Sequence, residues 1–178
     1  QRRAANGALV VTPVGGGLVH HEPAVLRQIG AEPENPGSNE LRFYVAKDGA
    51  SARLDAFRAW FGRRVERELD PFRELCEELV DEQRVLPALS RRDVRFRLAR
   101  ALEERLTSTR PDARVRETHY FREVFDVELL NAEVERRLLR GSERRGIFWL
   151  TREAAEHGGP LRWGRREVDV CLGHLLHA

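Results

Sequence analysis

Arg73, Glu74, Glu77 and Glu78 are the residues of this chain best suited to handle a cation and a phosphate. They lie in the run Arg73-Glu74-Leu75-Cys76-Glu77-Glu78-Leu79. On a helix, positions three and four residues apart share a face. Glu74, Glu77 and Glu78 would therefore project from one side within a single turn, with Arg73 at the edge of that face. Leu75 and Leu79 point elsewhere and can anchor the helix to a core. Like charges at this spacing destabilise a helix by roughly 0.2–0.5 kcal/mol per pair. A divalent cation that takes oxygen ligands offsets such a cost, so the pattern predicts metal-assisted chemistry. The competing reading is a solvated acidic face, which is common in a chain that is 34% charged.

A second candidate is Thr12-Pro13-Val14-Gly15-Gly16-Gly17. It follows the apolar run Ala8-Leu9-Val10-Val11, and residues 8–12 are expected to form a buried strand. Gly15, Gly16 and Gly17 permit positive φ and close approach of backbone to a ligand. A flexible hairpin turn is the plainer account of such a glycine run. His20 and His21, just beyond, are expected on an exposed loop.

The elements that must position these groups follow from periodicity. Residues 31–39, rich in Pro, Glu, Asn and Gly, read as a surface loop, and residues 41–45 as a strand. Leu54, Phe57, Trp60 and Phe61 form an apolar helical stripe that should stop at Gly62. Asp70-Pro71 announces the carboxylate helix, since Asp caps free amides and Pro suits the first helical position. Residues 94–98 alternate with period two, and residues 119–129 form a second long strand. Together they suggest a hairpin, with a helix over residues 99–106 as the alternative. Residues 132–140 predict a short amphipathic helix, 147–150 a compact buried strand, and Thr151 a helix cap. Residues 167–177 are expected to close the chain as a helix with Val168, Cys171, Leu172 and Leu175 on one side.

The order Arg-Glu-apolar-x-Glu-Glu resembles the centre of the Nudix signature, and the order of elements is similar to that of a Nudix domain. The family pattern is Gly, five residues, Glu, seven residues, then R-E-U-x-E-E-x-G-U, where U is a bulky apolar residue. Here the match runs from Arg73 to Glu78; the family's next glycine is Val80 and its final apolar position is Asp81. Gly62 and Glu68 reproduce the Gly-to-Glu spacing, but only four residues separate Glu68 from Arg73. Pro13 to Gly17 resembles the Pro-Gly-Gly element that many Nudix domains carry before the box. Its distance from Arg73 implies an insertion between the two. These features together resemble a divergent Nudix branch that accompanies nucleotide-second-messenger synthases in bacterial conflict systems.

The resemblance implies an α+β fold, an α/β/α sandwich with a Nudix-like mixed β-sheet flanked by helices. It also implies catalytic and metal-binding roles for Glu74, Glu77 and Glu78, which would hold Mg2+ or Mn2+ against a diphosphate. Arg73 would orient a glutamate through a salt bridge, and Gly15, Gly16 and Gly17 would approach the ligand. The substrate class would be a nucleoside diphosphate linked to another moiety, attacked at phosphorus. A glutamate outside the box serves as general base in some members, with Glu68, Glu123 and Glu128 as candidates here. The altered flanks of the box favour an alternative, a nucleotide-sensing module without turnover. A purely structural or interaction domain with an acidic helix is the third class.

Composition narrows the partners. At 178 residues the chain suits one domain spanning 1–178, and the lack of any Met suggests a processed product or a fragment of a longer chain with other domains. A net charge of +2 provides no strong field for nucleic acid. Lys47 is the only lysine, and the abundance of arginine fits a GC-rich genome. Arg63, Arg64, Arg91, Arg92, Arg95, Arg97 and Arg100 are expected on solvated faces, though arginine's fork also suits phosphate. Cys76 and Cys171 show no zinc or disulfide spacing and are expected as small core residues. No apolar run approaches 18 residues and no secretory signal is present, so no membrane partner is expected and the chain reads as cytoplasmic.

Overall fold

A computed structural model describes residues 2–3, 9–11, 14–21, 24–107, 115, 117–140, 149–157, 160–163 and 166–170. The fold is α+β. Two compact units divide the chain: Gln1–Gly15 with Phe72–Ala178, and Gly16–Pro71. No helix among the described residues is long and apolar enough to cross a membrane.

In the first unit, β1 (Arg2–Arg3), β2 (Leu9–Val11), β7 (Leu161–Trp163) and β8 (Arg166–Val170) form a mixed sheet in the order β1-β2-β8-β7. Strand β2 runs antiparallel to β1 and parallel to β8, with Val10 opposite Asp169. Strands β7 and β8 pair antiparallel. This corrects the closing helix expected over residues 167–177. Glu167-Val168-Asp169-Val170 alternates with period two, and Val168 is only 1% exposed. β-branched residues in such a pattern pack well on a pleated sheet, and parallel pairing with β2 decides for strand. The rest of that expected helix, 171–177, lies outside the described residues, as do Ile147 and Phe148 of the expected strand 147–150. Trp149 and Leu150 are not in a strand, and the Trp149 indole donates to the Leu138 carbonyl at 2.9 Å.

A long antiparallel ribbon dominates this unit: β5 (Val94–Thr107) pairs with β6 (Glu117–Leu129). The strand expected over 94–98 thus continues through 99–106, where a helix was the alternative. A register irregularity lies between Leu98 and Arg100. Period-two alternation puts Phe96 and Leu98 opposite Val127 and Phe125, while Arg95 and Arg97 on the other face pair with Glu128 and Asp126. Further along, Arg105 meets Glu117 at 2.6 Å and Arg122 meets Glu104 at 2.8 Å. Exposed pairs of this kind contribute only about 0.2–1 kcal/mol each, so they set register more than stability.

Helix α4 (Ala132–Arg140) follows directly and is started by Asn131, whose side-chain oxygen accepts from Glu133 N–H at 3.0 Å. Such N-caps satisfy an otherwise orphaned amide. The Asn131 amide also donates to Asp93 at 2.7 Å, and Asp93 accepts from Ser90 N–H at 2.8 Å. These bonds hold the Asp93 carboxyl below its ordinary range. Thr151 caps α5 (Arg152–His157) as expected, accepting from Ala154 N–H at 3.1 Å.

One core cluster among the described residues of this unit is Leu79, Leu86, Val134 and Leu138, with Leu75, Val80, Val85, Leu89 and Leu129 packed against it. It joins α4 to the segment that carries the carboxylates.

The second unit contains α1 (Ala24–Gln28), the short pair β3 (Glu32–Pro33) and β4 (Phe43–Tyr44), and α2 (Ala50–Arg63). Strand β3 lies within the stretch expected as loop, and the strand expected over 41–45 shortens to two residues. Phe57, Trp60 and Phe61 are buried as the stripe predicts, and Phe43 meets Phe57 edge-on at 5.1 Å. Helix α2 ends one residue beyond Gly62, with Arg64 in the left-handed region at φ 55°.

Shortening Leu138, 4% exposed, leaves a cavity between α4 and the carboxylate segment. Leu138→Ala should lower unfolding free energy by about 2–5 kcal/mol, read as a shift in urea midpoint without a change in slope.

Candidate functional site

The carboxylate segment begins directly after Asp70-Pro71, as helix α3 (Phe72–Cys76). From Glu77 to Glu82 the backbone widens into a π-helix. The segment therefore stays helical as far as Glu82, with a wider turn. Gln83 N–H donates to the Glu78 carbonyl at 2.9 Å, an i→i+5 bond. The wider turn lets Leu79 sink into the core while Val80 still packs against it. Because π-turns inside α-helices occur often at functional sites, the change of pitch at Glu77 bears directly on how the carboxylates are aimed.

Arg73 organises that face. One terminal nitrogen donates to Glu74 at 2.8 Å, and the other donates to both oxygens of Glu77 at 2.9 Å. Glu74 is buried at 8% exposure, and Glu77 and Glu78 are half-buried. A carboxylate removed from water needs an opposite charge and hydrogen bonds to remain ionised, and Arg73 supplies both to Glu74. Arg73 thus bonds two glutamates, where the expectation was a salt bridge to one.

Phe72 anchors the start of the helix. Its ring meets Phe96 of β5 at 6.5 Å, and the Arg91 guanidinium lies 4.6 Å from its ring centre. Cys76, on the same turn, is half-buried as a small apolar residue can be. Burial pushes its thiol pKa up, the Asp81 and Glu77 charges push the same way, and Arg91 opposes them. Cys171 lies outside the described residues.

Oxygen donors suit a hard divalent cation, and Glu74, Glu77 and Glu78 are donors of that kind. Their present arrangement is tied to Arg73 instead. Among the described residues no three His, Cys, Asp or Glu side chains gather closely enough to hold a metal ion. The residues fit Mg2+ in chemistry, and Glu77 would have to exchange the Arg73 guanidinium for the cation.

The glycine run spans the junction between the two units. Gly15 has φ 153° with open space where a Cβ would stand. A Cβ on Gly17 would lie 3.1 Å from the Arg42 Nε, beside the Arg42–Glu40 ion pair. Close packing within the second unit thus already accounts for a glycine at 17. Beyond it, Val19 bridges Glu40 and His20 bridges Arg67. His20 is buried at 8% exposure, which corrects the expectation of an exposed loop; His21 is exposed.

Of the general-base candidates, Glu128 pairs with Arg95 at 2.8 Å on the exposed face of the ribbon, and Glu123 stands opposite Ala101. Glu68 belongs to the second unit, where its carboxylate accepts from Val19 N–H at 3.3 Å. Sequence reasoning missed the Asp93–Asn131 bond that ties the base of the ribbon to α4. The signal was there: Ser90 three residues before Asp93 is a turn pattern, and Asn131 before an apolar periodic run is a cap pattern.

A family model described as SMODS-associated NUDIX domain matches residues 5–164. No curated protein and no solved structure matches the chain.

Two outcomes follow from this geometry. Arg73→Ala leaves Glu74 buried without its guanidinium, and should cost about 1.5–3 kcal/mol of stability by chemical denaturation, with Arg73→Lys losing less. In a Cys171→Ser background, the pH midpoint for alkylation of Cys76 by iodoacetamide should lie above that of an ordinary thiol. Asp81→Asn should bring that midpoint down, because it removes a charge that disfavours the thiolate.

Proposed function

The chain belongs to the SMODS-associated NUDIX domain family, and we propose that it is a divalent-metal-dependent hydrolase of a nucleoside diphosphate linked to another moiety. The observation that carries this reading is the Arg73 fork, which holds Glu74 and Glu77 at 2.8 and 2.9 Å on one side of the box helix. In this reading Glu74, Glu77 and Glu78 are the donors for Mg2+ or Mn2+, and Gly15, Gly16 and Gly17 approach the ligand. A bound cation would neutralise phosphate charge and lower the pKa of an attacking water. Arg73 bonds Glu74 and Glu77 and aims them, and Glu77 would have to release it to hold a cation. The same reading takes a Nudix-like sandwich with an insertion between the Gly15-Gly16-Gly17 turn and the box helix.

A second reading is a nucleotide-sensing module without turnover. It is favoured by the Arg73 bonds to both Glu77 oxygens, and by the π-turn that begins where the box should hold two adjacent donors. Val80 in place of the family's glycine points the same way.

Product chromatography with Mg2+ or Mn2+ separates the two. The compounds are dinucleotides, nucleotide sugars, ADP-ribose, triphosphates and cyclic oligonucleotides, each beside Glu77→Gln and Glu78→Gln. Cleavage of a diphosphate linkage by the parent, lost in both variants, is the expected result. Binding without turnover by folded protein would establish the sensing reading instead, and neither binding nor turnover would sink both.

A further inference from the structure

The box helix ends beside an open groove that none of Arg73, Glu74, Glu77 or Glu78 lines. Its walls are Val80, Asp81, Arg84, Val85, Leu86 and Pro87 with Arg137 of α4, around a volume of about 650 Å³. That size falls within the range of small-molecule sites, which combine an apolar surface with a few polar groups that fix orientation. Val80, Val85 and Pro87 supply a small apolar surface here, over Leu86, which is rooted in the core at 2% exposure. Two guanidinia, Arg84 and Arg137, supply most of the polar chemistry.

Arg84 is one of three non-glycine residues with positive φ among the described residues, with Arg64 and Glu66. Its backbone is left-handed, with φ 51°. A glycine or asparagine would close a helix there with less strain, and strained non-glycine positions cluster where a side chain serves a ligand. The conformation is imposed on both sides. Gln83 N–H bonds the Glu78 carbonyl at 2.9 Å, while Val85 and Leu86 N–H both bond the Leu79 carbonyl at 2.8 and 3.0 Å. The turn therefore needs a left-handed residue, and the chain places an exposed arginine in it. The Arg84 guanidinium has no hydrogen-bond or ion-pair partner among the described residues. Arg137 donates through Nε to Glu133 at 2.8 Å, which leaves its two terminal nitrogens for another acceptor.

Charge limits what fits. Asp81 also lines the groove, Glu133 already offsets part of Arg137, and the C-terminal end of a helix carries partial negative charge. A polyanion would meet repulsion that a single charge avoids. Arginine forks bind carboxylate and phosphate oxygens with matched geometry. We propose that this groove is a second binding site, separate from the box carboxylates, for a singly charged anion carried on an apolar body. A carboxylate and a phosphodiester are the two sources of that chemistry.

The test is an NMR titration of the full chain with two probes, benzoate for the carboxylate and diphenyl phosphate for the phosphodiester. Acetate and inorganic phosphate serve as controls that lack the apolar body. One or both probes should shift the amides of residues 80–87 and bind at least tenfold more weakly to Arg84→Gly and Arg137→Gln. Arg84→Gly relieves the backbone, so its thermal midpoint should equal or exceed the parent's and misfolding cannot explain lost binding. Glu77→Gln should bind the probes as the parent does, so failure of the hydrolase reading leaves this result intact. The probe that shifts the groove names the source. No shift with either probe, or equal affinity in Arg84→Gly, overturns the site.

Discussion

Leu79 is the residue on which the carboxylate segment depends. Its side chain lies in the core with Leu86, Val134 and Leu138, and its carbonyl accepts two amides from the chain that turns back at Val85 and Leu86. Side chain and backbone thus fix the same point from opposite directions. With Leu79 buried, the helix advances to Glu82 with an extra residue in the turn, recorded by the i→i+5 bond from Gln83 to Glu78. The register of Glu77 and Glu78 against Glu74 is therefore a consequence of core packing. So is the left-handed residue at position 84.

Charge balance is the second constraint. Three carboxylates on one turn would repel one another, and one of them is buried. Arg73 answers both problems through two terminal nitrogens, at the cost of occupying oxygen atoms that a cation would also seek. In the proposed hydrolase, a cation would have to compete with this single guanidinium for Glu77. Such competition is a physical way for one sequence to serve either a hydrolase or a sensor, because the balance rests on the differential affinity of Glu77 for Arg73 and for the cation.

Outside the site, the ribbon of β5 and β6 shows how a charge-rich sequence keeps one register. Apolar partners such as Phe96 and Val127 share a face while Arg95–Glu128 and Arg97–Asp126 share the other. A slip by one residue would exchange the faces and put like charges beside apolar groups. Asp93 and Asn131 then tie the base of the ribbon to the start of α4, which carries Val134 and Leu138 back to Leu79.

Much of this was legible in the sequence, because local patterns carry it. Period-two alternation announced the ribbon, the stripe of Phe57, Trp60 and Phe61 announced α2, and Asp70-Pro71 announced the start of the box helix. The type and order of Arg73, Glu74, Glu77 and Glu78, taken with the glycine run upstream and the order of elements, pointed to the family. What the sequence could not decide were features set by contacts between distant residues. Glu167 to Val170 suits a helix face as well as a strand, and pairing with Leu9–Val11 settled it. The pitch change at Glu77 comes where Leu79 and Val80 pack with Val134 and Leu138 of α4, 54 or more residues away in sequence. Residue types and spacing thus determined which chemistry the chain can hold, since donors and charges are local properties. Only the tertiary structure decided where those donors point, since direction depends on a core assembled from the whole unit.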